Sequence, residues 1–128
     1  MPAPTLLLIA HGSRRKASNE EVIALANRMR QSRPPHIADV QVAFLELAEP
    51  SIPDALADCV SMGAREILVF PYFLAAGTHV TVDIPEEIAT FKNKHPHIQV
   101  TITPHLGASP QLAEAILEMA SIRQPMAA

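Results

Sequence analysis

Cysteine, aromatic residues and charge are all scarce in this 128-residue sequence, and each shortage excludes a class of protein. The single cysteine, Cys59, excludes an intramolecular disulfide and fits a reducing compartment. Charged residues make up 18% and the formal net charge is −3, so no basic stripe indicates a nucleic-acid partner. The first apolar run, residues 6–10, follows no positively charged segment and is too short for a signal sequence or a membrane span. These features predict a cytoplasmic protein that does not bind a membrane.

Apolar residues, in contrast, make up 48% of the sequence, which is ample for a core. With so few charges, this composition indicates extra apolar surface in a subunit interface or around an apolar ligand. The length fits one domain, which we predict over residues 1–124, followed by a flexible tail over 125–128.

Strand-length apolar runs alternate with helical patterns along the whole chain. Four strands are predicted at residues 5–10, 40–45, 66–70 and 98–103. Four helices follow them, from Ser18 or Asn19 to about 32, from 51 to 62, from Thr81 or Asp83 to about 95, and from 109 to about 122. This order predicts an α/β fold with a four-stranded parallel sheet of order 2-1-3-4 and helices on both faces. So small a sheet leaves an edge that a second subunit could cover.

The chemistry of such a sheet is expected at the carboxyl ends of its strands, at the switch point between strands one and three. His11 follows strand one, His79 lies in the loop after strand three, and Glu46 ends strand two. Two imidazoles and a carboxylate suit a divalent first-row metal, although loop histidines more often serve only as hydrogen-bonding residues. Three of the four glycines also follow strands, where the main chain must turn tightly or approach a ligand: Gly12, Gly77 and Gly107.

Five groups of residues along the chain resemble one known family, the small sirohydrochlorin chelatases of the cobaltochelatase type, with their siroheme and nickel-tetrapyrrole relatives. The resemblance covers nearly the whole chain in order and spacing. The matching residues are His11-Gly12-Ser13-Arg14; Ala43-Phe44-Leu45-Glu46 with Pro50; Pro71-Tyr72-Phe73-Leu74; Gly77-Thr78-His79-Val80 with Asp83-Ile84-Pro85; and Leu106-Gly107 with Pro110.

The resemblance implies ATP-independent insertion of a divalent metal into sirohydrochlorin, in cobalamin or siroheme biosynthesis. Co²⁺ is the first expectation, with Ni²⁺ and Fe²⁺ as alternatives, and the metal is a substrate rather than a tightly bound cofactor. His11 is implied as metal ligand and base, His79 as second ligand, and Glu46 as a catalytic residue facing substrate or metal. The implied substrate-binding loop is Leu74, Ala75, Ala76, Gly77, Thr78 and His79. A half-length chelatase of this kind forms a homodimer.

Several side chains keep two interpretations. Residues 14–16 are basic, so Arg14 either binds substrate carboxylates or belongs to a solvated turn. Asp83 is either a helix cap, which is preferred, or a hydrogen-bonding partner of the His79 imidazole. Phe73 is assigned to the core, and His105 stays open. A different class of function is also open, that of a non-catalytic carrier of metal or tetrapyrrole with the same fold.

Overall fold

The computed structural model describes residues 2–123, in which four strands and four α-helices alternate. The strands are β1 (Thr5–Ala10), β2 (Asp39–Phe44), β3 (Glu66–Pro71) and β4 (Gln99–Ile102). The helices are α1 (Lys16–Gln31), α2 (Ile52–Ser61), α3 (Ile84–Lys94) and α4 (Leu112–Ala120). A π-helical turn, His79–Asp83, runs directly into α3, and a 3₁₀ turn, Leu106–Ala108, precedes α4. The tail predicted over 125–128 lies outside the described residues.

The four strands form one parallel sheet of order β2-β1-β3-β4, which confirms the predicted topology. The carboxyl ends of the three adjacent strands meet at one edge, because Ala10 lies opposite Phe44 and Ile9 lies opposite Pro71. Residues that follow β1, β2 and β3 therefore share the same rim of the sheet.

The central strand β1 is buried on both faces, as its continuous apolar run predicts. Leu7 and Ile9 point into a large apolar cluster that contains the buried faces of α2 and α3. Leu8 points the other way, into a smaller cluster with Ala26 of α1. Helices thus cover both faces of the sheet, and the two clusters hold the rim of β1 in place.

The start of α1 differs from the prediction. The helix begins at Lys16, and neither Ser18 nor Asn19 caps it. The Asn19 side chain instead accepts a hydrogen bond from the Ser13 amide at 3.0 Å and donates one to the Ser13 carbonyl at 2.8 Å. Asn19 therefore fixes the turn after β1, and the helix starts without a side-chain cap.

The start of α4 differs in the opposite direction, since this helix begins later than predicted, at Leu112 rather than Ser109. Ser109 and Pro110 belong to the turn before it, where the Ser109 hydroxyl accepts a hydrogen bond from the Gln111 amide. None of the nine residues of α4 is buried, and Leu117 and Met119 are 71% and 70% exposed. This helix therefore presents apolar side chains to solvent within one copy of the chain.

Within residues 2–123, each helix is too short or too polar to cross a bilayer.

Candidate functional site

His11 leaves the end of β1 where the backbone passes very close to the segment after β2. Gly12 has a φ of +93°, and a Cβ atom there would lie 1.7 Å from the carbonyl oxygen of Glu46. The Glu46 amide donates a hydrogen bond to the His11 carbonyl at 3.1 Å. Only glycine fits this approach, which brings the His11 and Glu46 side chains together, with Nε2 and Oε1 3.2 Å apart.

His79 lies in a helix and not in the loop that the sequence predicts. It is the first residue of the π-helical turn, and its carbonyl accepts a hydrogen bond from the Ile84 amide, five residues later. Asp83, one turn along, makes no capping hydrogen bond. Its Oδ2 lies 2.7 Å from Nδ1 of His79 instead. The preferred interpretation of Asp83 as a cap is wrong, because its carboxylate is engaged by the imidazole.

The two histidine rings meet at the rim of the sheet. Their centroids are 4.8 Å apart in an edge-to-face arrangement, and both side chains are about 44% exposed. Phe73 packs against the large apolar cluster, as predicted, and its ring centroid lies 6.2 Å from that of His79. The strand ends thus bring His11, Glu46 and His79 together, while their roles as ligands and base stay predictions.

Hydrogen bonding orients both rings in the same way. Nδ1 of His11 lies 2.8 Å from the Gly12 carbonyl, which only accepts, so this nitrogen carries the proton. Nδ1 of His79 faces the Asp83 carboxylate and donates to it. The Nε2 atoms are therefore the ones left for other partners, and that of His11 faces Glu46. Within residues 2–123, no set of three or more His, Cys, Asp or Glu side chains is arranged to hold a metal ion.

An open cleft of about 220 Å³ lies beside His79, and most of its lining is acidic. The lining residues are Leu45, Glu46, His79, Asp83, Glu86 and Glu87. Glu86 and Glu87 are not among the site residues predicted from the sequence. Their spacing could have identified them, because Glu86 and Glu87 lie three and four residues after Asp83 and therefore on the same face of a helix.

Three basic residues lie three to five positions after His11 in the sequence. Arg14, Arg15 and Lys16 are exposed, and Lys16 pairs with Glu20 at 3.9 Å. In the part of the chain that the structure describes, neither arginine forms an ion pair. The structure does not bring Arg14 into hydrogen-bonding contact with the histidines, so its substrate-binding role stays a prediction.

The predicted substrate loop is exposed at all five positions from Leu74 to Thr78. Its start is fixed by the 3₁₀ turn, since the Gly107 amide donates to the Phe73 carbonyl at 3.0 Å and a Cβ at Gly107 would lie 1.7 Å from the Leu74 carbonyl. A Cβ at Gly77 would meet nothing within 4 Å. Close backbone approach therefore explains Gly12 and Gly107, whereas Gly77 meets no such contact and its carbonyl accepts hydrogen bonds from the Val80 and Thr81 amides.

The remaining histidines lie in ordinary surroundings. Nδ1 of His95 donates to the Phe91 carbonyl at the end of α3, and the two rings stack at 4.4 Å. His105 is half-buried and lines a separate apolar depression with Phe70 and Leu106. The structure gives His105 no place beside the histidine pair.

Fold and rim together define a class: open parallel α/β domains with a histidine pair at the switch point between β1 and β3. The CbiX family matches residues 5–122 of the chain. The protein belongs to this family.

Named relatives agree with that assignment. The chain is 37% identical, over 70% of its length, to the sirohydrochlorin cobaltochelatase of Methanocaldococcus jannaschii, and covers 62% of it. It is 32% identical over 90% of its length to the sirohydrochlorin cobaltochelatase of Methanothermobacter thermautotrophicus and covers 89% of that protein. The crystal structure of the sirohydrochlorin chelatase SirB from Bacillus subtilis subspecies spizizenii, in complex with cobalt, superimposes with a TM-score of 0.82 at 30% identity. That match covers 94% of this chain and 51% of SirB, so the chain spans about half the length of this relative.

Proposed function

We propose that this protein is a sirohydrochlorin chelatase that inserts Co²⁺ into the free-base ring without ATP, with Ni²⁺ and Fe²⁺ as alternative substrates. One observation carries the proposal: His11 and His79 meet 4.8 Å apart, beside Glu46, in a chain of the CbiX family. The proposal includes a cytoplasmic location and no tightly bound cofactor. Its pathway is cobalamin or siroheme biosynthesis.

The metal ion would enter through the acidic cleft. Carboxylates of Glu86 and Glu87 line this cleft with His79 and attract a hydrated dication. Nε2 of His79 is the nitrogen that its hydrogen bond to Asp83 leaves available. Imidazole binds first-row dications well enough to deliver them, yet releases them when four ring nitrogens compete.

Glu46 would serve as the proton acceptor that metal insertion requires. Nε2 of His11 lies 3.2 Å from Oε1 of Glu46, and both side chains are about half exposed. A metal ion that binds Nε2 of His11 would separate the imidazole from Glu46, and any proton held between them would pass to solvent, which leaves the carboxylate ionised. Glu46 is then placed to take a pyrrole proton as a general base, so ligand and base functions alternate on one pair of side chains.

The tetrapyrrole would lie along the exposed loop 74–78, over the histidine pair. Leu74 is 71% exposed and offers apolar surface at the start of that loop. Sirohydrochlorin carries several carboxylates, and Arg14 lies in the exposed basic turn that follows His11, three residues away in sequence. The acidic cleft would thus suit the cation, and the Arg14 guanidinium would suit the carboxylates of the ring.

A homodimer is part of the same proposal, with α4 as its contact surface. The exposed apolar side chains of α4 and of the two residues after it include Ile116 and Ile122, in addition to Leu117 and Met119. The chain covers 51% of SirB, which therefore has about twice its length. A second copy of the chain is the partner of matching size. Leu117→Glu is expected to convert the dimer to a monomer in sedimentation, whereas an unchanged assembly would exclude α4 as the contact.

The test of the activity is an initial-rate comparison of Co²⁺, Ni²⁺ and Fe²⁺ with sirohydrochlorin, followed by the shift of its visible bands. His11→Ala and His79→Ala are each expected to lower the rate by about 10²–10⁴-fold, because each removes a ligand or base. His36→Ala, an exposed histidine elsewhere, is the matched control and is expected to keep the full rate.

Multiple turnovers at low enzyme concentration separate an enzyme from a carrier. Binding of metal and ring without turnover above the uncatalysed rate would replace the proposal by the carrier function. Full activity in both site variants would reject the histidine pair.

A further inference from the structure

The geometry points to Asp83 as a positioning residue: we propose that its carboxylate holds the His79 ring with Nε2 unprotonated and directed towards an incoming metal ion. This inference rests on the proposed function, since it assigns how one of its two histidines is prepared. It concerns a residue that touches His79 and is not assigned contact with either substrate.

The contact itself is short and local. Oδ2 of Asp83 lies 2.7 Å from Nδ1 of His79, four residues earlier on the same helical face. Both side chains are about 40% exposed, so water could satisfy either of them and burial does not demand the pair. Asp83 also makes no capping hydrogen bond at the start of α3. The contact with the imidazole is therefore the interaction that the structure gives this carboxylate.

A carboxylate on Nδ1 has two effects on the other nitrogen of the ring. It fixes the tautomer in which Nδ1 carries the proton and Nε2 carries the lone pair, and it fixes the plane of the ring. It also polarises the Nδ1–H bond, which makes Nε2 a stronger ligand. A histidine without such a partner divides its population between tautomers and ring rotations.

The arrangement of His11 supports this interpretation. Nδ1 of His11 donates to the backbone carbonyl of Gly12. In both rings of the pair, therefore, Nδ1 is the nitrogen held by a neighbouring oxygen and Nε2 is the nitrogen left for a ligand. A neutral carbonyl serves His11, which also contacts Glu46. A full carboxylate serves His79, whose Nε2 has no such neighbour among the hydrogen bonds and ion pairs of residues 2–123. The stronger orienting group thus lies on the ring that meets the acidic cleft.

The test uses the full chain without tetrapyrrole and with Co²⁺ alone as the probe. Long-range ¹H–¹⁵N spectra report the tautomer of His79, and the visible absorption of Co²⁺ reports binding. Asp83→Ala is expected to shift His79 towards the tautomer with the proton on Nε2 and to weaken Co²⁺ binding by about 10–100-fold. Asp58→Asn removes a carboxylate from the exposed face of α2 and is expected to change neither measurement.

Two further variants keep the test decisive if Asp83→Ala disturbs the π-helical turn. Asp83→Asn retains an oxygen that accepts from Nδ1, so the tautomer is expected to persist while Co²⁺ affinity falls severalfold. Asp83→Glu is expected to restore part of the affinity lost in Asp83→Ala. Wild-type tautomer and wild-type affinity in a folded Asp83→Ala protein would overturn the inference.

Failure of the proposed function is distinguishable from failure of this inference. A wild-type protein that binds Co²⁺ without inserting it contradicts the chelatase activity and leaves the role of Asp83 intact. Insertion at the wild-type rate by Asp83→Ala contradicts the role of Asp83 alone. The tautomer of His79 is measured in the metal-free protein and is independent of both.

Discussion

The close contact between Gly12 and Glu46 can be tested with the four glycines of this protein, because they differ in two features. These features are a positive φ and a backbone atom that a Cβ would overlap. Gly12 and Gly63 share a φ of +93°, but a Cβ at Gly12 would lie 1.7 Å from the Glu46 carbonyl oxygen, whereas one at Gly63 meets nothing within 4 Å. Gly107 has the 1.7 Å contact, with Leu74, without the positive φ. Gly77 has neither feature. Substituting each by alanine separates backbone strain from steric overlap.

The expected losses, each measured relative to Gly77→Ala, follow from these two contributions. A positive φ costs alanine roughly 1–2 kcal/mol, which is the whole effect expected for Gly63→Ala. Overlap with a backbone carbonyl, which must move from 1.7 Å to at least 3.0 Å, adds about 1–3 kcal/mol and is the whole effect expected for Gly107→Ala. Gly12→Ala combines both and is expected to lose about 2–5 kcal/mol. Gly77→Ala is expected to lose nothing and to gain up to about 1 kcal/mol.

Urea unfolding followed by far-UV circular dichroism measures all four free energies of unfolding. The entropy that alanine removes from the unfolded chain is common to the four variants and cancels between them. Gly12→Ala is also expected to lose metal insertion when it is assayed at a temperature at which it is still folded. The added Cβ forces the Glu46 backbone to shift, and this shift moves the Glu46 side chain away from His11. A Gly12→Ala loss within about 0.5 kcal/mol of the Gly63→Ala loss would refute the claim that this contact shapes the site.

Two further predictions concern ionisable groups outside the site. Burial pushes the pKa of Asp39 upward, but hydrogen bonds from Gln41 and Arg30 outweigh it and leave the pKa below its usual value. The stability that Asp39 contributes is therefore present above about pH 4 and is lost as the pH falls through the lowered pKa, so Asp39→Asn should cost about 1–2 kcal/mol at pH 7 and progressively less below pH 4. A difference that does not change with pH would contradict this. Burial, with nearby Asp39 and Asp58, raises the pKa of the Cys59 thiol to about 11. Cys59 should thus react with a thiol reagent at pH 8 at least about 100-fold more slowly in the folded protein than in urea, and equal rates would show that the core is open.

The order of strands and the sharing of one rim by His11 and Glu46 could be predicted from the sequence, because alternating strands and helices leave few topologies. The starts of α1 and α4 could not. Asparagine is a common helix cap, yet the Asn19 side chain hydrogen-bonds the backbone of Ser13 instead. The sequence pattern alone does not show which of these two partners the side chain takes. Pro110 is a residue that suits the first turn of a helix, but it lies in the turn before α4, two residues ahead of Leu112.

At the site, the sequence predicts which strand ends carry histidines but not how the rings are oriented. The hydrogen-bond partner of His79 depends on whether this residue lies in a helix and on which residues then share its face. With His79 in a loop, Asp83 is a natural cap, and Glu86 and Glu87 have no reason to face the same cleft. Once His79 begins the π-helical turn, these carboxylates follow it along one face. The local hydrogen-bond pattern therefore decided what residue types alone left open.

The π-helical turn makes the histidine pair depend on residue count as well as residue identity. Re-forming the segment 79–83 as ordinary α-helix with all five residues kept would rotate what precedes it by about 100° relative to α3, because a π-helical turn takes up one more residue than an α-helical turn. Ile84 and Ile88 would keep α3 packed against the sheet, while His79 would turn away from His11. In an alignment of related chains, a one-residue gap at this turn is therefore compatible with the site, because an α-helical turn with one residue fewer keeps the histidine on the same face.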